Sequence, residues 1–361
     1  MRVIMTGGGT GGHVYPAIAI ADEIKRRSPE SEIIFVGTAH GIENKIVSDA
    51  GYELRHITVT GIYRKKLWKN FKTAKDLQKG LREAKLIINE FKPDAVIGTG
   101  GYVCGPMVFA AQRMGVKTYI HEQNAFPGFT NKLLSRNVDE VFLAFEEAAP
   151  YFKSAKSVIT VGNPVRHAFR EIDRKTARNR LGLPQDAFTV LGFGGSLGAA
   201  RINDEMKIVV DELKDIENFV LFFVTGSRFY DDIVKPDEQR KSNIKYMKYI
   251  DDMPTYLAAC DIAVTRSGAL TVSEIAACGR ASIMIPSPNV THNHQFFNAK
   301  VLADCGASIL IEEKALNPGD VATIIGTLMD DRKRLAHMEL AAAEKDRGDA
   351  SGLICEHIGI S

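Results

Sequence analysis

The chain has 361 residues, 45% hydrophobic and 25% charged, which excludes disordered, collagen-like and low-complexity classes and leaves ample material for a core. At roughly 100–200 residues per domain, that length implies two domains or three. Lys and Arg number 46 against 44 Asp and Glu, a net charge of +2, too near neutral for a nucleic-acid binder working by bulk charge; an anionic partner must be met by a local patch.

Short β-branched runs alternate with helical patterns from end to end, the signature of α/β architecture on parallel sheets. The sequence predicts strands at Val3–Thr6, Glu32–Val36, Ala95–Gly98, Thr118–His121 and Glu140–Leu143, and helices at Tyr15–Arg27, Phe71–Phe91 and Pro106–Met114. The pattern restarts at Phe188–Phe193 and continues through Phe219–Val224, Asp261–Val264 and Ala281–Ile285. Most of these strands are apolar without alternation, as expected where helices cover both faces of a sheet. Each half opens with a strand, then a glycine loop, then a helix: Gly7-Gly8-Gly9-Thr10-Gly11-Gly12 in the first and Gly194-Gly195-Ser196-Leu197-Gly198 in the second. The expected fold is therefore α/β, with two Rossmann-like, doubly wound parallel-sheet domains facing a central cleft. They span residues 1–162 and 163–339, and a C-terminal helix at about 340–361 is left without a decided docking side.

Five cysteines (Cys104, Cys260, Cys278, Cys305, Cys355) are scattered, odd in number and without a C-x-x-C pair, which argues against a disulfide framework or a zinc site and fits a reducing compartment. The start, Met1-Arg2-Val3-Ile4-Met5, runs straight into a glycine loop and does not read as a signal peptide. No apolar run approaches the ~20 residues that span a bilayer, so contact with a membrane is expected from its surface.

Gly7, Gly9 and Gly12 satisfy G-x-G-x-x-G, the dinucleotide fingerprint. The second strand, however, ends Phe35-Val36-Gly37-Thr38 with no carboxylate for a ribose diol, and His13 stands where a P-loop needs Lys. Nicotinamide, flavin and Walker-type binding are thereby disfavoured. Glycine-rich helix starts recur after Gly12, in Gly98–Tyr102, after Ser196 and at Ser267–Thr271. Together they favour a phosphorylated ligand over plain tight turns, because such starts offer N–H donors and close backbone approach.

His13, directly after the first loop, suits a general base near neutral pH or a polar helix cap. His121-Glu122-Gln123-Asn124 follows an apolar strand at the end where α/β ligands collect. Arg166, just inside a helix that starts at Pro164, suits bidentate phosphate contact or a surface ion pair. Ser273 and Glu274 sit in the helix opened by Gly268, where Glu274 can accept both hydroxyls of a ribose or stand as a solvated charge. His292 and His294 lack a third ligand at sensible spacing, and the chain has no Asp-x-Asp, the usual metal anchor for a sugar nucleotide. No metal and no cofactor is expected.

Arg64-Lys65-Lys66-Leu67-Trp68-Lys69-Asn70-Phe71-Lys72 is basic and holds the single tryptophan. At helical spacing Leu67, Trp68 and Phe71 share a face flanked by Lys65, Lys66, Lys69 and Lys72, an interfacial amphipathic surface suited to an anionic leaflet. One aromatic cluster makes a poor stacking platform for single-stranded nucleic acid.

The segments Thr6–Pro16 (TGGGTGGHVYP), Gly98–Pro106 (GTGGYVCGP), His121–Asn131 (HEQNAFPGFTN), Gly162–Arg166 (GNPVR), Gly194–Ala199 (GGSLGA), Arg266–Glu274 (RSGALTVSE) and His294–Ala299 (HQFFNA) span essentially the full length in order. Together they closely resemble the MurG family of bacterial peptidoglycan N-acetylglucosaminyltransferases, which has the GT-B fold. The resemblance implies an inverting transfer of N-acetylglucosamine from UDP-N-acetylglucosamine to the muramyl 4-hydroxyl of undecaprenyl-diphospho-muramoyl-pentapeptide, lipid I to lipid II. It implies donor contacts at Thr10, Gly11, Gly12, Asn124, Arg166, Ser196, Ile250, Ala269, Leu270, Thr271, Val272, Ser273, Glu274 and Gln295. Ile250 would meet uracil through its backbone and Glu274 would hold the ribose. Tyr102 and His121 match the acceptor side, His13 or Glu122 the catalytic base, and the Trp68 region a membrane-docking patch. The implied setting is peripheral, on the cytoplasmic face of the bacterial membrane, in company with cell-wall and division machinery and without nucleic acid. A UDP-N-acetylglucosamine 2-epimerase-like enzyme of the same fold is the alternative, and the basic Trp68 segment speaks against it.

Overall fold

The computed structural model describes residues 1–61, 70–234 and 243–360 of the chain. The fold divides into two compact units, Met1–Val165 joined by Arg347–Ser361, and Arg166–Asp346.

The first unit carries β1 (Arg2–Gly7), β2 (Glu32–Gly37), β3 (Glu53–His56), β4 (Ala95–Gly100), β5 (Lys117–Glu122), β6 (Glu140–Leu143) and β7 (Val158–Thr160). All seven pair in parallel, in the order β3-β2-β1-β4-β5-β6-β7. Between them run α1 (Gly11–Arg27), α2 (Glu43–Asp49), α3 (Asn70–Phe91), α4 (Cys104–Arg113) and α5 (Phe129–Leu134). Alternation along the strands divides the core. Ile4, Val36, Val96 and Ile120 pack with residues of α3 and α4, while Val3, Met5, Phe35 and Ile97 pack with residues of α1. Buried on both faces, these strands carry the continuous apolar runs seen in the sequence.

The second unit repeats the plan with β8 (Phe188–Phe193), β9 (Phe219–Val224), β10 (Ile244–Met247), β11 (Ile262–Thr265), β12 (Ala281–Met284) and β13 (Ser308–Leu310), again parallel, in the order β10-β9-β8-β11-β12-β13. Its helices are α6 (Ala168–Glu171), α7 (Arg174–Leu181), α8 (Ala200–Leu213), α9 (Tyr230–Ile233), α10 (Met253–Ala259), α11 (Ala269–Cys278), α12 (His294–Asp304), α13 (Asp320–Asp330) and α14 (Arg332–Glu344). The chain then returns to the first unit as α15 (Ala350–His357), which packs on α1. The late helices thus part company, α14 in the second unit and α15 in the first.

In each sheet the strand order reverses direction between the first and fourth strands, β1/β4 and β8/β11. Loops leaving the carboxyl ends of such a pair diverge, opening the crevice where α/β sheets take ligands. The β1/β4 register slips between Thr6↔Gly98 and Gly7↔Gly100, so Thr99 is an extra residue. Its hydroxyl donates to the His13 carbonyl at 2.7 Å. The bulge thereby ties the start of α1 to the end of β4, a common use of bulges beside sites.

Candidate active site

In the first unit, Thr10 caps α1 in an extended conformation without a side-chain hydrogen bond, and α1 begins at Gly11 rather than at the expected Tyr15. Thr10 and Gly12 are exposed and Gly11 is half-buried. The loop before them is held by a residue the sequence did not single out, Glu43 of α2. Its buried carboxylate accepts the Gly9 N–H at 3.2 Å, the Thr38 N–H at 3.0 Å and the Thr38 hydroxyl at 2.7 Å. Burial pushes its pKa up, but the donors on Thr38 and Gly9 prevail and hold it below the ordinary value. The end of β2 does have a carboxylate beside it, supplied from α2 and engaged by backbone.

His13 stands at the first turn of α1, half-buried. Its Nδ1 lies 2.9 Å from Gln123 Oε1. Gln123 Nε2 lies 2.9 Å from His121 Nδ1 and 3.0 Å from the His121 carbonyl, and His121 Nε2 lies 2.9 Å from the Gly162 carbonyl. The ring of His13 rests on bare backbone at Gly100, whose φ of +112° suits glycine alone.

Two expectations about this cluster need correction. His121 is fully buried, with 0% of its surface exposed, so it cannot line an acceptor; it touches the site through Gln123. Burial pushes its pKa down to about 4, against the pull of the Gly162 carbonyl, and it stays neutral. Glu122 is also buried and is tied on both oxygens. Oε1 accepts from the N–H and side-chain amide of Asn124 at 3.0 and 3.1 Å, and Oε2 from the Gly128 N–H at 3.0 Å and Asn131 Nδ2 at 2.9 Å. A carboxylate so engaged braces the loop from Asn124 to Asn131 and is badly placed to take a proton from a ligand. Tyr102 is exposed beside Gly9, toward which its ring edge lies.

The second unit places most of its candidates after the carboxyl ends of β8, β10, β11 and β12, with Arg166 just ahead of α6. The loop after β8 is set by backbone crowding: a side-chain carbon on Gly198 would lie 2.2 Å from the Thr225 carbonyl oxygen. Ser196 is exposed on this loop, and its carbonyl accepts from the Ser227 N–H at 3.2 Å. After β11, Gly268 opens α11 in an extended conformation, with no side-chain cap. Ala269, Leu270, Thr271, Ser273 and Glu274 are partly exposed on its first turns, whereas Val272 is fully buried and Ile250 nearly so. Any ligand contact by those two runs through backbone. Although Glu274 keeps some exposed surface, the protein packed around its carboxyl strips enough water to push it up to about 7, with the Arg166 guanidinium opposing. Arg166 itself is exposed and lies 5.2 Å from the Phe169 ring. Gln295 ties two loops, accepting the Ser287 N–H on Oε1 at 2.8 Å and the Ser267 hydroxyl on its carbonyl at 2.8 Å.

Among the described residues no group of three or more His, Cys, Asp or Glu is gathered to hold a metal, and no helix is long and apolar enough to cross a membrane. Lys65, Lys66, Leu67, Trp68 and Lys69 lie outside the described residues. Phe71 falls in the first turn of α3, and Lys72 is exposed next to it.

The chain matches the glycosyltransferase family 28 N-terminal domain over residues 3–143 and the family 28 C-terminal domain over residues 189–353. It is 48% identical over 339 residues to the UDP-N-acetylglucosamine–N-acetylmuramyl-(pentapeptide) pyrophosphoryl-undecaprenol N-acetylglucosamine transferase of Acetivibrio thermocellus, covering 94% of this chain and 92% of the relative. The crystal structure of Acinetobacter baumannii MurG superposes with a TM-score of 0.81 at 30% identity, over 99% of both chains. A putative UDP-N-acetylglucosamine 2-epimerase from Listeria monocytogenes reaches a TM-score of 0.69 at 14% identity over 99% of this chain and 95% of that one, a likeness of fold alone.

Proposed function

The chain belongs to glycosyltransferase family 28, and from that membership we propose that it transfers N-acetylglucosamine from UDP-N-acetylglucosamine to the muramyl 4-hydroxyl of undecaprenyl-diphospho-muramoyl-pentapeptide. The 48% identity to a transferase of that description, sustained through both units, carries the reading. The two sites agree with it in chemistry.

Nucleotide recognition falls to the second unit. Glu274 takes the ribose hydroxyls, the backbone at Ile250 meets uracil, and the start of α11 with Ser196 and Arg166 receives the diphosphate. An open helix start contributes roughly 0.3–1 kcal/mol toward an anion at the surface and up to ~2 when partly buried. These groups and Arg166 act without a divalent ion. Sugar chemistry falls to the first unit, where His13 is the general base. It takes the proton of the muramyl hydroxyl, the oxygen attacks the anomeric carbon, and UDP departs with inversion. Thr10, Gly11, Gly12 and Asn124 complete the donor contacts, and Tyr102 the acceptor side. The Lys65–Lys72 segment with Leu67, Trp68 and Phe71 docks the enzyme on the anionic cytoplasmic leaflet where the lipid-linked acceptor resides.

The deciding experiment incubates purified protein with labelled UDP-N-acetylglucosamine, lipid-linked acceptor and a chelator. Label in the lipid fraction supports the proposal. Free N-acetylmannosamine released without acceptor would replace it with the epimerase reading, and transfer that stops on chelation would remove the metal-independent part.

A further inference from the structure

Two carbonyl oxygens, which can only accept, stand along the hydrogen-bonded run from Gly162 to His13. The Gly162 carbonyl faces His121 Nε2 at 2.9 Å, so that nitrogen carries the proton. Buried and neutral, His121 has a bare lone pair on Nδ1. The Gln123 amide is oriented from the same side. Its nitrogen meets that lone pair at 2.9 Å and the His121 carbonyl at 3.0 Å, whereas the flipped amide would set oxygen against both acceptors. Gln123 Oε1 is therefore the atom 2.9 Å from His13 Nδ1, and only an N–H can meet it there. The nitrogen of a neutral imidazole that is protonated is set by the partner of the other.

We propose that Gln123, backed by His121 and the Gly162 carbonyl, is a positioning residue that holds His13 as its Nδ1–H tautomer and leaves Nε2 as the proton-accepting atom. This deepens the reading of His13 as general base and rests on it. In the transfer, the hydroxyl O–H bond breaks toward His13 Nε2, and the freed oxygen pair forms the bond to the anomeric carbon. The bond from that carbon to the diphosphate oxygen breaks with its electron pair going to UDP. The resulting imidazolium keeps Nδ1–H on the Gln123 carbonyl, whose dipole favours the new charge. Gly100 permits the arrangement sterically, since the Nδ1–Cε1 edge of the ring occupies the space that a side-chain carbon on Gly100 would take.

The test uses the full chain labelled with 15N at histidine, with the His13 resonances assigned by comparison with His13→Gln. Long-range 1H–15N spectra should show His13 protonated on Nδ1. Gln123→Met preserves length without a hydrogen-bonding group, and it should move the proton to Nε2. It should also lower kcat roughly tenfold, short of the ~10²–10⁴ that a general base contributes in full, while UDP affinity changes less than twofold. Wild-type His13 protonated on Nε2, or Gln123→Met retaining the Nδ1–H form, would overturn the proposal. A tautomer that moves while turnover stays normal would instead overturn His13 as the base.

Discussion

A methyl group built on Gly100 would stand 2.7 Å from His13 Nδ1 and 2.8 Å from its Cε1, closer than side-chain carbons approach other atoms. The position of the imidazole thus depends on the absence of a side chain at the end of β4. Gly100→Ala meets both that contact and a φ of +112°, a region that L-residues avoid. It should lose roughly 1–3 kcal/mol of stability in urea unfolding and at least tenfold in kcat. Gly105→Ala, where the new carbon would meet only Thr130 Cγ2 at 3.8 Å, is the control and should keep normal turnover. Equal kinetics for the two variants would show that His13 is not seated by Gly100.

Glu122 and His13 are separable by the kind of damage their loss causes. Glu122→Gln turns an amide NH2 toward N–H donors that now have a carboxylate, so it should lower stability by about 1–3 kcal/mol. Its effect on kcat should track the disorder of residues 124–131. His13→Gln should leave the melting temperature within a degree or two and reduce kcat by roughly 10²–10⁴. A Glu122→Gln protein as stable as wild type yet inactive would return the proton-accepting role to Glu122.

For Glu274 the folded value of about 7 lies above its ordinary 4.5, so the free native state holds a proton that the unfolded chain releases. The stability this contributes is present below about pH 4.5 and is lost as pH rises through 7. Under the proposed role of Glu274, ribose hydroxyls call for the ionised carboxylate, so donor affinity should rise as pH goes from 6 to 8. UDP-N-acetylglucosamine suits the measurement because its diphosphate is a diester. Calorimetry near pH 7 in buffers of different ionisation heat should register proton release on binding, and Glu274→Gln should abolish it. Release that persists in the variant would assign the proton elsewhere.

His121 works in the opposite sense. Burial holds its folded value at about 4, below the ordinary 6.5, so the unfolded chain binds the extra proton. Stability contributed by neutral His121 is complete above about pH 6.5 and is lost as pH falls toward 4, by up to about 3 kcal/mol. Urea unfolding at pH 7.5 and 5 should show a larger drop for wild type than for His121→Gln. The same drop in both would mean that another group carries it.

The interior strands of both sheets were legible because most of them are apolar without alternation, the form a strand takes where helices cover both faces of its sheet. The four strands that the pattern did not mark, β3, β7, β10 and β13, are the edges of their sheets, short and covered on fewer sides. With less to bury, Glu53–His56 carries no apolar alternation at all. The polar cluster from His121 to Asn124 was visible as a cluster, but the division of labour inside it was not. His121 and Gln123 are both buried, Gln123 reaching from His121 to His13, and Glu122 bends back to its own loop, which depends on side-chain direction rather than residue type. Glu43 was hidden for another reason: it meets Gly9 across 34 positions, and nothing local to α2 marks a loop clamp.

The return of the chain to the first unit affects how the protein is made. Ile354, Cys355, Ile358 and Ile360 share one buried cluster with Val3, Met5 and Ile20, and each large apolar side chain so placed contributes roughly 1.5–3 kcal/mol. During translation, residues 1–165 leave the ribosome early but stay short of part of their interior until the segment through Ile360 has emerged. The second unit has its whole complement sooner. The last part of the first unit's core is thus the last to be synthesised, and a chain cut short before residue 350 would carry every residue of the second unit while lacking α15 from the first.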